Sequence, residues 1–172
     1  MDLYRERGFD QTTVAEIAER AGLTERTFFR HYADKREVLF GGSAALVELL
    51  VHSVTDAPDG FSPIDAVASA LSAAGALLQG RREFARQRQA VITSNPELQE
   101  RELIKMASLA AAVAGALRQR GATEPAASLA AEAGIAVFRV AFERWVNGPE
   151  SRPLPEWIDE SMQELRGVIT AR

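Results

Sequence analysis

Thr12–Phe40 runs TTVAEIAERAGLTERTFFRHYADKREVLF. Val14, Ile17, Ala18 and Ala21 recur at i, i+3, i+4 and i+7, which makes one apolar face on a short helix over 14–20. Thr12 or Thr13 is placed to cap that helix, with Glu16 near the capping-box position. Gly22 lets the chain turn, because the residue after a helix often needs positive φ. Leu23 fills the turn, and Thr24 caps a next helix over 25–31. Phe28 and Tyr32 share one face of that helix and pack back on the first. Glu25, Arg26, Thr27, Phe29, Arg30 and His31 are left facing outward. Two short helices at a steep angle, the second presenting polar groups, is the geometry of a helix-turn-helix DNA reader. Spacing alone fits a plain helical hairpin with a solvated face equally well.

Outward from this segment, helix formers dominate and alternating β-branched runs are missing. Breakers punctuate the chain at Gly8, Gly22, Pro58-Asp59-Gly60, Gly80, Asn95-Pro96, Gly121 and Gly148-Pro149. The spacing predicts an all-α fold of about nine helices: 2–7, 14–20, 25–31, 35–54, 63–79, 81–94, 96 to just before Gly121, 125–147 and 155–170. Asp34 caps the fourth, and Pro96 opens the seventh at a favoured position. The expected division is a helix-turn-helix domain over 1–45 and a helical body over 46–172.

The chain has 172 residues, 47% hydrophobic and 26% charged, with net charge −4. This is ordinary for a globular protein with a substantial core. There is no cysteine, so neither disulfides nor thiolate metal sites are available. No apolar run is long enough to span a bilayer, and the N-terminus lacks a signal-peptide core, so a cytoplasmic protein with no membrane partner is expected. His31 and His52 stand alone. No Gly-rich phosphate loop, HExxH, GxSxG or EF-hand pattern occurs, so neither an enzyme nor a metal or cofactor is expected. The acidic balance counts mildly against nucleic acid, but local charge is what matters at a contact surface.

The segment resembles the N-terminal signature of the TetR family of regulators. The matching elements are Gly8-Phe9, Thr12-Thr13-Val14, Ile17-Ala18, Ala21-Gly22, Thr27 to Tyr32 (TFFRHY) and Lys35. The resemblance implies a dimeric regulator that binds a palindromic operator in double-stranded DNA. It is most often a repressor, released by a small apolar or amphipathic effector. It also implies roles for residues. Thr13 and Thr24 cap helices and meet phosphates. Glu25, Arg26 and Thr27 read bases, with Arg26 suited to a guanine edge and Glu25 to cytosine. Phe29 stands where the family often has tyrosine and keeps an apolar contact. His31 and Lys35 occupy phosphate-contacting positions, and Arg30 and Arg36 are solvated neighbours. The family's first helix is usually longer, so a native start upstream of Met1 is expected. Residues 1–40 hold seven Lys and Arg against eight Asp and Glu.

The resemblance also places an effector pocket between the fifth and eighth helices. Its candidates are Leu77, Phe84, Arg88, Val91, Ile104, Leu109 and Phe138; taken singly, each is better explained as core, and Arg88 as a solvated arginine. The homodimer interface is expected on the last two helices, at Leu129, Phe142, Trp145, Trp157, Met162 and Leu165. Their apolar faces divide between monomer core and interface in proportions that the pattern leaves open. The competing class is a ligand-binding or interaction protein of the same fold that has lost DNA binding.

Overall fold

Side-chain caps mark where several helices begin. The computed structural model describes residues 1–149 and 151–170. Among them are nine α-helices, one 3-10 turn and no strand, as the all-α expectation requires. The helices are α1 (Asp2–Arg7), α2 (Val14–Arg20), α3 (Glu25–His31), α4 (Ser43–Thr55), α5 (Pro63–Gln79), α6 (Arg82–Thr93), α7 (Pro96–Gln119), α8 (Ala126–Asn147) and α9 (Leu154–Thr170). Thr13, not Thr12, caps α2. Thr12 is buried, and its hydroxyl donates to the Gly8 carbonyl at 2.7 Å. Ser62 caps α5, with Pro63 in its first turn.

The fourth helix is shorter than expected. Asp34 does cap the chain, accepting from the Arg36 and Glu37 amides, but only one 3-10 turn follows, over Lys35–Val38. Helix α4 starts at Ser43. The cause lies in Gly41-Gly42: Gly42 has φ +91°, a left-handed value that no α-helix can carry through. A continuous helix over 35–54 is thereby corrected.

The described residues form two compact units, each with its own core. The first comprises 1–43 and 83–103. It differs from the expected boundary at 45, because α6 and the start of α7 join the helix-turn-helix segment. Tyr4, Phe9, Leu39 and Phe40 share a buried cluster with Val91, Ile92 and Leu98. Polar ties reinforce it. Asn95 Nδ2 donates to Asp10 Oδ1 at 3.1 Å, and Arg101 Nε to Glu37 Oε1 at 3.0 Å. Arg88 donates to the Leu39 carbonyl at 2.6 Å, makes two hydrogen bonds to Glu102, and lies over the Phe40 ring.

The second unit comprises 44–82 and the described residues from 104 onward. Helices α5, α8 and α9 pack on one another. Small residues permit the close approach: a Cβ on Gly134 of α8 would stand 2.2 Å from Val67 Cγ1 of α5. Gln79 of α5 accepts from the Leu154 amide at 2.7 Å, tying down the start of α9.

This packing partitions the expected dimer residues. Trp145, Trp157 and Met162 are buried within the monomer. Three mutually packed helices consume those faces. Phe142 is half-buried, its ring 5.8 Å from Phe138 and 5.6 Å from Trp145, and Leu165 is half-buried too. Leu129 is 65% exposed, and Val140, three turns along α8, is 52% exposed. No helix among the described residues is long and apolar enough to cross a membrane.

Candidate nucleic-acid interface

The interface is built from α2, α3 and the turn between them. Thr13 and Glu16 form a reciprocal capping box: the Thr13 hydroxyl accepts from the Glu16 amide, and Glu16 Oε2 accepts from the Thr13 amide at 2.9 Å. The Thr13 amide bond, chiefly, holds the Glu16 carboxyl below the usual carboxylate range. Gly22, at φ +69°, makes the turn that redirects the chain into α3. Thr24 caps α3 by accepting from the Thr27 amide at 3.2 Å, and the two hydroxyls lie 3.1 Å apart.

Helix α3 then shows two faces. Phe28 is buried. Its ring contacts Tyr32 at 5.3 Å and meets Phe29 edge-on at 5.5 Å. Glu25, Arg26, Phe29, Arg30 and His31 are exposed, while Thr27 is half-buried. Phe29 is 54% exposed, a large apolar side chain standing in a polar row. Tyr32 ends the helix in extended backbone and is only half covered, less than the spacing implies.

Charge is distributed unevenly over this unit. Arg7 pairs with Glu16, Arg20 with Glu6 and Arg36 with Asp34. Hydrogen bonding from Arg36, chiefly, keeps the Asp34 carboxyl below its usual range. Arg26 and Arg30, one turn apart on α3, have no carboxylate partner among the described residues. A segment with no net positive charge therefore keeps on α3 two of the three arginines that lack such a partner, the third being Arg5 on α1.

Lys35 lies against the loop between α1 and α2. Its ammonium donates to the carbonyls of Phe9 (2.8 Å), Asp10 (3.1 Å) and Thr12 (3.0 Å) and stands 4.5 Å from the centre of the Phe9 ring. Three donors meet three carbonyls, so Lys35 closes the loop between α1 and α2. Tyr4 completes the joint: its hydroxyl donates to the Lys35 carbonyl at 2.7 Å, and burial pushes the phenol above its usual range. Neither contact is visible in the local pattern, because the partners lie more than 20 residues apart in the chain.

The seven pocket candidates divide between the two units. Phe84, Arg88 and Val91 belong to the first unit, Leu77, Ile104, Leu109 and Phe138 to the second. Arg88 is committed to Leu39 and Glu102, and Val91 to the first core. Leu109 and Phe138 are buried, while Leu77, Phe84 and Ile104 are about half exposed.

Residues 1–40 match the family model described as bacterial regulatory proteins, tetR family, and residues 61–170 match the MftR C-terminal domain. Over 73 residues the chain is 36% identical to the HTH-type transcriptional regulator TcmR of Streptomyces glaucescens, covering 42% of this chain and 32% of that protein. Over 99 residues it is 30% identical to MftR of Mycobacterium tuberculosis, named for the regulation of mycofactocin biosynthesis, covering 58% and 50%. The chain thus spans between a third and a half of these curated relatives. In fold it resembles Thermus thermophilus FadR, a TetR-family repressor crystallised with lauroyl-CoA. The TM-score is 0.61 at 21% identity, over 100% of this chain and 92% of that one. A regulator from Mesorhizobium loti is similar at TM-score 0.60 and 18% identity, over 97% and 91%. With both halves matched and the helix-turn-helix built as described, the chain belongs to the TetR family of bacterial regulatory proteins.

Proposed function

We propose that this protein is a sequence-specific, dimeric transcriptional regulator that represses by binding a palindromic operator and lets go when its body takes up a small apolar or amphipathic effector. One observation carries the DNA part. Helix α3 is fixed from behind by Phe28 and at its start by Thr24, and it presents Glu25, Arg26 and Phe29 with unpaired Arg26 and Arg30 outward. Such a row suits the major groove, where Arg26 can hydrogen-bond a guanine edge bidentately and Glu25 can accept from cytosine. Thr13, Thr24, His31 and the exposed Arg30, which has no carboxylate partner among the described residues, lie around it as phosphate-contact candidates. Lys35 drops out of that set, its donors being committed to the α1–α2 loop. Leu129 and Val140, exposed on one face of α8, are the residues best suited to meet a second copy.

Selection of bound sequences from random duplex DNA tests this. An enriched palindrome is expected, lost with Arg26→Ala and weakened with Thr27→Ala. One bidentate base contact is worth about 1–3 kcal/mol, so Arg26→Ala lowers operator affinity roughly 10- to 100-fold. Recovery of no common sequence by the parent chain would leave a sensor of the same fold.

The reassignment of Lys35 has its own outcome. Lys35→Met lowers unfolding stability by about 1–3 kcal/mol, because three carbonyls, two of them partly buried, lose their donor. The salt slope of duplex binding stays as in the parent, whereas Arg30→Met reduces it by about one. Anisotropy titrations at several salt concentrations separate the two. A stable Lys35→Met chain with a reduced slope would return the ammonium to the phosphates.

A further inference from the structure

Among the described residues, four polar side-chain atoms are shielded from solvent without a hydrogen-bond partner: Arg82 Nη1, Trp145 Nε1, Trp157 Nε1 and Ser161 Oγ. Packing contacts link the residues that carry three of them, and the fourth lies one turn away on α9. Arg82, at the start of α6, donates through Nε and Nη2 to the Trp145 carbonyl (3.0 and 2.7 Å) and through Nη2 to that of Gly148. Its guanidinium lies 6.0 Å from the centre of the Trp145 ring. Gly148 in turn abuts Trp157: a Cβ there would stand 3.0 Å from Trp157 Cζ2, beside the indole nitrogen. Ser161 follows Trp157 by one turn on the same face of α9. Trp145 has no exposed surface, and Ser161 has 6%.

The chemistry of this corner is one-sided. Two indole N–H groups and an arginine N–H can only donate, and the serine hydroxyl can donate as well. Arg82 has no carboxylate partner among the described residues. Arg144 and Arg152 lie over Trp157 at 4.5 and 3.9 Å, with Glu160 bonded to both and Glu156 paired with Arg152, so the carboxylates nearby are already taken up by other arginines. Buried donors left unmatched cost free energy, and the partner that relieves all of them is an anionic acceptor.

We infer that the α8–α9 corner binds a carboxylate, held by Arg82, the two tryptophan indoles and Ser161, with the apolar remainder of the ligand lying against the α5–α8–α9 core. That this ligand is the effector rests on the regulator reading above; the binding itself does not.

Trp145 and Trp157 are the chain's two tryptophans, so its two indole N–H resonances report on this corner alone. The experiment titrates octanoate, with 1-octanol as the neutral control, into the nitrogen-15-labelled full chain, with the peaks assigned by Trp157→Phe. Both peaks should move and saturate with octanoate, at a midpoint about tenfold below that for octanol, the factor expected for one charge-assisted hydrogen bond. Ser161→Ala should weaken octanoate binding severalfold while leaving the ligand-free chain at least as heat-stable as the parent, since it removes an unmatched buried hydroxyl. Arg82→Lys, which keeps the charge, should weaken it further. Indole peaks that stay fixed at saturating octanoate, or that follow octanol equally, overturn the site. So does a Ser161→Ala chain with lowered stability and unchanged binding, the result of a hydroxyl already satisfied by water. Octanoate that binds here without releasing duplex DNA in a gel shift keeps the site and overturns its role as effector site.

Discussion

Gly134→Ala should destabilise the chain by about 3 kcal/mol, at the upper end of what overpacking a core costs. Two terms compete. Alanine is the better helix former by about 1 kcal/mol in a helix interior, and Gly134 lies in the middle of α8. Against this, the new methyl would stand 2.2 Å from Val67 Cγ1, with Leu71 Cδ1 at 3.7 Å. The obstructing residue is β-branched and sits in α5, where valine has essentially one comfortable rotamer, so it cannot swing aside. Helices α5 and α8 must separate, and the contacts of both with α9 loosen too. The clash outweighs the propensity. Urea unfolding of the parent, Gly134→Ala, Val67→Ala and the double variant measures this. The double variant should recover most of the loss, because removing the two valine methyls makes room for the new one. A single Gly134→Ala variant as stable as the parent would mean that α5 and α8 do not pack this closely. Gly75 makes the comparison: a methyl there meets the movable tip of Ile158 at 2.8 Å and the Pro155 nitrogen and Cγ at 3.2 and 3.3 Å, all wider than the contact at Gly134, and the cost should be smaller.

Arg88→Met should cost about 3–5 kcal/mol, the penalty typical of removing one partner of a buried ion pair. The Arg88 and Glu102 side chains are 16% and 24% exposed, and the pair is bidentate. Removing the guanidinium strands the Glu102 carboxylate and leaves the Leu39 carbonyl without its donor. It also removes the cation from the Phe40 ring, 4.9 Å away. Replacing both partners is a different matter: Arg88→Met with Glu102→Leu leaves no buried charge behind and should regain most of the stability. Thermal unfolding of the three variants beside the parent decides it. Equal losses in the single and double variants would show that the arginine acts through packing and not through its charge. Because this pair lies in the unit that holds α2 and α3, the single variant should also weaken any duplex binding through the fraction folded.

The helix-turn-helix was legible in the sequence because its determinants are local. Thr13 with Glu16, Gly22, Thr24 with Thr27, and the buried Phe28 all act within four residues of their partners, which is the range that helical periodicity and capping describe. The break before α4 lies within the same range, where Gly41-Gly42 interrupts the apparent continuity from Asp34. Other features were beyond it. Lys35 looks like a surface cation until the α1–α2 loop folds three carbonyls onto it. Arg88 looks like a pocket cation until Leu39 and Glu102, 49 and 14 residues away in the chain, converge on it.

What the sequence determined by itself, then, is the helical class, the caps, the turn at Gly22 and which face of α3 is left outward. Each follows from backbone preference and side-chain spacing over one or two turns. The tertiary structure alone decided which apolar faces of α8 and α9 are used up inside the monomer. It buries Trp145, Trp157 and Met162 against α5 while leaving Leu129 and Val140 uncovered. Those residues are equally apolar in the sequence, and what separates them is how closely Gly134 and Gly75 let three helices approach.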